Sequence, residues 1–296
     1  MMTIILCLAG IASLRADGIK VVCTTFPIYQ ITRQVTAGQP GVTLDLLLPA
    51  GLGCPHDYAL TPQDMRKLAG ADVLVVNGLG QEEFLGAPLR QANPGVTIVD
   101  SSSGIETLAD CRHDAEDCEH AAHRANPHLF ASPRQAGRLA LNIAEGLAQA
   151  DRDRAGACRR QADAWAAVMT ALADDFSAVV RELPNNRIIQ PHGVFDYLAR
   201  DAGLEVVGTL QPHGHEPGAS EMLRLVGLAR TRGVGAVFVE PQYSDKVART
   251  VARELGVPLA MIDPVASGPA DAPLDYYEAV MRRNLETIRG IFGDGR

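Results

Sequence analysis

The stretch from Arg154 to Leu183 does most to restrict the fold of this chain. It contains no proline, and no glycine after Gly156. Its apolar residues Ala157, Trp165, Val168, Leu172, Phe176 and Val179 recur at the intervals that gather side chains on one face of a helix. The pattern predicts a helix of roughly 28 residues, ~40 Å long at the α-helical rise. Pro184-Asn185-Asn186 ends it, and Ala150–Asp153 separates it from a helical stretch that starts after Ser132 with Pro133 in its first turn. A helix of that length can run along two packed lobes.

Short apolar runs alternate with helical patterns on both sides. Ile19–Thr24, Thr43–Leu48, Val73–Asn77 and Val96–Val99 read as strands, with helices at Gln30–Ala37 and Pro62–Ala69. Thr61 is a good N-cap for the second helix, and Pro62 suits its first turn. After the long helix, Arg187–Gln190, Glu205–Leu210, Ala236–Glu240 and Leu259–Ile262 read as strands. Helices are expected at about Phe195–Asp201, Ser220–Arg232, Ser244–Leu255 and Leu274–Phe292. Strand–helix alternation implies mostly parallel sheets. The expected class is α/β: two Rossmann-like βα lobes joined by one long rigid α-helix. The divisions are 1–16, 17–150 for the N-terminal lobe, 151–184 for the linking helix, and 185–296 for the C-terminal lobe.

Residues 1–16 are nearly all apolar and end in small residues, which is the pattern of a secretory signal too short to span a bilayer. Cleavage would follow Ala12 or Ala16. The mature chain would then be periplasmic. The net charge of −8 argues against nucleic acid or an anionic membrane as the partner. Beyond the leader stand Cys23, Cys54, Cys111, Cys118 and Cys158, an odd number. Cys111 and Cys118 flank a short polar stretch and form the expected disulfide. Cys54 could reach one of them or serve as a soft ligand, and Cys23 reads as a buried strand residue.

Three histidines and an aspartate recur at similar intervals, each in or beside a turn: His56, His128, His192 and Asp263, separated by 72, 64 and 71 residues. Proline directly precedes all three histidines, which favours fixed, non-helical backbone. No two can share a helical face, so only the tertiary fold can bring them together. Three imidazoles and a carboxylate suit a borderline-soft divalent cation. His192 and Asp263 each follow an expected strand, and His56 follows one after a short loop. Loops at the carboxyl ends of parallel strands are where such sheets bind ligands. One such histidine alone would be an ordinary solvated loop residue, whereas the set of four specifies a site.

Four stretches carry a resemblance to a known family. They are GCPHDYALTPQDMRKLAGADVLVVNGLGQEEFL, ANPHLFASPRQAGRLALNIAEGL, PHGVFDYLARDAGLEVVG and the run from His215 to Val265. The chain resembles the zinc/manganese substrate-binding proteins of bacterial ABC transporters over essentially its whole mature length. The resemblance implies two lobes with metal between them, and His56, His128, His192 and Asp263 as ligands. Asn126 departs from the pattern, since an aspartate usually stands two residues before that histidine. Histidine at the third position is similar to the zinc members, whereas manganese members tend to have glutamate there. Zinc(II) is the expected cargo, with manganese and iron as alternatives. An ABC permease in the inner membrane is the expected partner of a monomeric chain.

His113, His120 and His123 lie in an acidic, cysteine-flanked stretch, where zinc members often carry a histidine-rich loop. They form either an auxiliary metal site or a solvated surface loop. His213 and His215 read as residues of a loop with no ligand role. Glu216 and Glu240 read as structural groups that could hold a ligand histidine in its tautomer. A metal-dependent enzyme whose site is built of three histidines and one aspartate is the competing class, and an adhesin or sensor is a third. Four protein ligands leave no open position for catalysis, and no HExxH or GxSxG motif is present. A non-enzymatic role in capture and delivery is therefore expected. The long helix should restrict hinge opening, leaving release to local movement of ligand loops such as the one carrying His128.

Overall fold

In the computed structural model the described residues are 18–53, 55, 58–109, 125–211 and 218–293. The leader, His56, Cys54, the segment containing Cys111 to His123, and the loop with His213, His215 and Glu216 lie outside them.

The first lobe is built on strands β1 (Ile19–Cys23), β2 (Val42–Leu46), β3 (Val73–Val76) and β4 (Thr97–Asp100). They form one parallel sheet in the order β2-β1-β3-β4. The second lobe repeats the arrangement. Strands β5 (Arg187–Gln190), β6 (Glu205–Thr209), β7 (Ala236–Val239) and β8 (Leu259–Met261) are parallel in the order β6-β5-β7-β8. Each sheet therefore has a switch point at its centre, between β1 and β3 or between β5 and β7, where loops diverge and leave a crevice.

Both faces of each sheet are covered, which explains the nearly continuous apolar strand sequences. Val21, Cys23, Val73 and Val75 face the main core, while Val22, Leu74 and Val76 face a smaller cluster with Leu47, Leu68 and Leu85. In the second sheet Ile188, Ala236 and Phe238 face the main core, while Ile189, Val237 and Val239 face away from it. The main core runs through both lobes without interruption.

Helices α1 (Phe26–Val35), α2 (Pro62–Ala69) and α3 (Gly86–Ala92) belong to the first lobe. Helix α4 (Pro133–Ala150) packs along α5 (Ala155–Glu182), the 28-residue helix expected from the sequence. Helices α6 (Asp196–Ala202), α7 (Ala219–Arg232), α8 (Lys246–Leu255) and α9 (Tyr276–Gly293) complete the second lobe. Thr61 caps α2 as expected, in a reciprocal box with Asp64.

The buried stripe of α5 is Cys158, Ala162, Trp165, Met169, Leu172, Phe176 and Val179. Its steps alternate between four and three residues, which keeps one seam toward the core. Burying a large aliphatic or aromatic side chain there stabilises by about 1.5–3 kcal/mol. Two residues of the expected stripe fall beside this seam: Ala157 is half-buried and Val168 is 38% exposed. Helix α1 starts four residues before the expected Gln30, because Phe26-Pro27 forms its first turn and proline fits there. The sequence reading omitted α3, whose Gly-Ala-Pro opening looks like loop.

Cys23 and Cys158 are buried free thiols. Burial pushes the Cys23 thiol up to about 12, which makes it a packing residue as expected. The cysteines expected to pair lie outside the described residues. No helix among the described residues is long and apolar enough to cross a membrane.

Candidate metal centre

Strand β5 ends at the switch point of the second sheet and hands the chain to Pro191-His192. Gln190 fixes the turn beyond them. Its amide donates to Asp196 Oδ1 (2.5 Å), and its Oε1 accepts from Phe195 N (3.1 Å). Between them lies Gly193, where a Cβ would stand 2.9 Å from Asp196 Oδ2 and 3.1 Å from Asn126 Nδ2, so a side chain has no room. The turn holds His192 in extended backbone.

His128 opens a short 3-10 turn, His128–Ala131, just before α4. It is 4% exposed, and its ring lies 5.2 Å from that of His192, centroid to centroid, at 73°. Asn126 determines which nitrogen it presents. The Asn126 amide donates to Gly193 O (2.7 Å) and Asp196 Oδ2 (3.0 Å), both acceptors, which fixes the amide's orientation. Oδ1 then faces His128, accepts from its backbone N–H (2.9 Å) and lies 2.8 Å from Nδ1. An acceptor at Nδ1 keeps the ring proton there and leaves the Nε2 lone pair for a cation.

Glu240 stands beside the corresponding nitrogen of His192. It follows β7 across the switch point, is 1% exposed, and brings Oε1 within 3.1 Å of His192 Nδ1. Oε1 lacks the alignment of a proper hydrogen bond, so the contact is one of charge and proximity. Its other oxygen accepts from Gln242 (2.7 Å). The sequence reading of Glu240 agrees with this location.

Asp263 follows β8. Asn284 on α9 pairs with its backbone, accepting from Asp263 N (3.0 Å) and donating to Asp263 O (2.7 Å). The Asp263 carboxylate accepts from Val265 N (2.8 Å), and Val265 is held at φ +64°, a left-handed value costly for a β-branched residue. Burial raises the carboxyl's pKa. The Val265 N–H and the positive charge of Arg283 oppose that rise, while the nearby Glu240 charge adds to it. A half-buried carboxyl beside another acid favours a cation.

The structure thus brings His128 and His192 together, with Asp263 within reach of the Glu240 field. Among the described residues, no set of three histidine, cysteine, aspartate or glutamate side chains is close enough to hold a metal by itself. Trp165 is packing, as expected, edge-on to Tyr277 at 5.4 Å.

The His128 turn is fastened from all sides. Asn77, at the end of β3, donates to Pro127 O (2.9 Å). Half-buried Glu82 braces Asn77 in turn, accepting from its N–H (2.7 Å) and from Thr24 Oγ1 (2.7 Å). From the second lobe, Tyr277 OH donates to Phe130 O (2.6 Å), and Tyr197 OH donates to Asn126 O (2.8 Å). These bonds tie the His128 turn to both lobes, and any release movement of this loop would have to break them. The sequence reading missed Asn77, Gln190 and Asn284, although each is a buried polar residue at a strand end or on the core side of a helix.

A sequence model of the family described as "Zinc-uptake complex component A periplasmic" (ZnuA) matches residues 21–290. The zinc-binding protein AdcA of Streptococcus pyogenes is 28% identical over 294 residues, covering 93% of this chain and 56% of the relative. The chain thus spans little more than half of that protein. The high-affinity zinc uptake system protein ZnuA of Bacillus subtilis is 27% identical, covering 95% of this chain and 89% of the relative. Among solved structures, FpvC of Pseudomonas aeruginosa in complex with Ni²⁺ superposes with a TM-score of 0.80 at 28% identity, over 95% of this chain and 99% of that one. With a family match over nearly its whole length and the same two-lobed fold, the chain belongs to the ZnuA family.

Proposed function

We propose that this chain captures Zn²⁺ between its lobes through His56, His128, His192 and Asp263, and delivers it to an ABC permease for import. The observation that carries this reading is the preformed histidine pair. Two imidazole rings lie 5.2 Å apart, His128 has the Asn126 amide oxygen at Nδ1, which leaves its Nε2 for an ion, and the Glu240 carboxylate stands 3.1 Å from His192 Nδ1. Asp263 adds a carboxylate whose burial is costly until a cation neutralises it. His56 enters on its sequence motif. Three nitrogens and one oxygen match zinc's tetrahedral preference, whereas manganese favours more oxygen. FpvC, of the same fold, is described in complex with Ni²⁺ and with Mn²⁺, so the fold by itself does not specify zinc.

The leader at 1–16 would send the chain to the periplasm, where it acts as a monomer and not as an enzyme. The division into lobes at 17–150 and 185–296, with 151–184 between them, follows the two sheets and the long helix. His113, His120 and His123 would collect zinc at the surface. A chelator competition tests the ligand set. His56→Ala, His128→Ala, His192→Ala and Asp263→Ala should each weaken one tight zinc site, and wild-type affinity in all four would refute it.

A further inference from the structure

Among the described residues of the second lobe, Val265 is the only non-glycine residue with a positive φ. Its value of +64° is costly for a β-branched side chain, and such a conformation persists only where the surroundings over-determine it. Two constraints meet there. Pro264 disfavours helical backbone at Asp263 and offers no N–H, so Val265 N is the first donor after Asp263. It donates to Asp263 Oδ1 at 2.8 Å, closing a local side-chain turn. Asn284 acts from the other side. It lies on α9, is 3% exposed, and bonds both backbone groups of Asp263, the N–H through Oδ1 (3.0 Å) and the carbonyl through Nδ2 (2.7 Å).

Asp263 is therefore held at three points. From 262 to 266 it is the one residue that is not buried. Its Oδ1 is taken by Val265, and among the described residues no group donates to Oδ2, which is the oxygen left for an ion. Turning the carboxylate to offer both oxygens would break the Val265 bond and leave a buried N–H unpaired. Zinc in a four-coordinate site needs only one oxygen from Asp263 beside three imidazoles. Manganese gathers more oxygen, and a carboxylate restricted to one oxygen withholds it.

We infer that Asn284 is a positioning residue that sets metal specificity: by clamping the Asp263 backbone it keeps Val265 in its strained conformation and limits Asp263 to one ligating oxygen. The inference rests on the zinc-binding reading above. Without the clamp, the turn at 263–265 relaxes out of the left-handed conformation, the Oδ1 bond is lost, and Asp263 can offer both oxygens.

The experiment is a chelator-competition titration of the full chain with Zn²⁺ alone and with Mn²⁺ alone, comparing wild type with Asn284→Ala and Asn284→Leu. Asn284→Leu keeps roughly the volume of the side chain and carries the test if Asn284→Ala does not fold. Each variant should lower zinc affinity by about 10- to 100-fold and manganese affinity by less, so that the zinc-to-manganese affinity ratio falls by about 10-fold. General weakening of the fold lowers both affinities alike, so an unchanged ratio would overturn the inference. Wild-type zinc affinity in the variants would overturn it too. Failure of the wild type to bind zinc would instead defeat the underlying reading, and the inference with it.

Discussion

Replacing Asn126 by alanine is the sharpest test of how the half-site is held. The Asn126 side chain is wholly buried and makes four contacts: His128 N, His128 Nδ1, Gly193 O and Asp196 Oδ2. Each hydrogen bond contributes about 1 kcal/mol net, and a buried group left unpaired costs more. The variant should lose about 3–4 kcal/mol of stability in urea unfolding of the metal-free protein, a large part of the roughly 5–15 kcal/mol typical of a domain. The His128 ring would also lose the acceptor that fixes its proton on Nδ1, and such partners are typically worth about 10- to 100-fold in metal affinity. Asn126→Asp separates the two effects. It keeps Oδ1 on His128 but turns an oxygen toward Gly193 O and Asp196 Oδ2, so stability should fall while zinc affinity falls less than in Asn126→Ala. Wild-type zinc affinity in Asn126→Ala would refute the reasoning that Asn126 sets the tautomer.

Three further outcomes rest on the same geometry. Asp263→Asn should stabilise the metal-free protein at neutral pH while weakening zinc. A carboxyl whose folded pKa is raised costs stability in full above that pKa, and the cost disappears as pH falls below the unfolded value of about 3.8, so the variant's advantage in thermal melts should shrink with acidification. Zinc affinity should fall with more than one proton competing as pH drops through ~6.5, the ordinary imidazole range, and a flat titration from neutral to mildly acidic would contradict a three-histidine site. Deleting residues 111–123 should spare the tight site in a competition titration while slowing zinc acquisition from a loaded donor or removing a weak second ion. Loss of tight binding would place a primary ligand in that segment.

Much of the fold is legible in the sequence because its determinants are local. The 28-residue helix shows through its uninterrupted apolar spacing, and the strands show through runs that must be apolar on both faces. The phase of the stripe is less legible. Ala157 and Cys158, or Val168 and Met169, are neighbours of similar polarity, and only the partner surface chooses between them. The start of α1 is hidden because Pro27 is both a loop signal and a good first-turn residue. At the site, His128 and His192 are visible through their Pro-His turns. Their supports are not, because Asn77 and Asn126 reach partners 50 and 67 residues away, and Asn284 reaches one 21 residues away. The same distance effect hides the fastenings of the His128 turn, which come from α6, α9 and the end of β3.

The central claim is that one zinc ion is held by three imidazole nitrogens and one carboxylate oxygen. Zinc K-edge X-ray absorption on untagged protein carrying one equivalent of zinc tests it most directly. A single shell of four nitrogen or oxygen neighbours at about 2.0–2.1 Å, with imidazole outer-shell scattering that drops in His128→Ala and in His192→Ala, is the predicted result. A sulfur neighbour at about 2.3 Å would put a cysteine such as Cys54 in the ligand set and contradict the account.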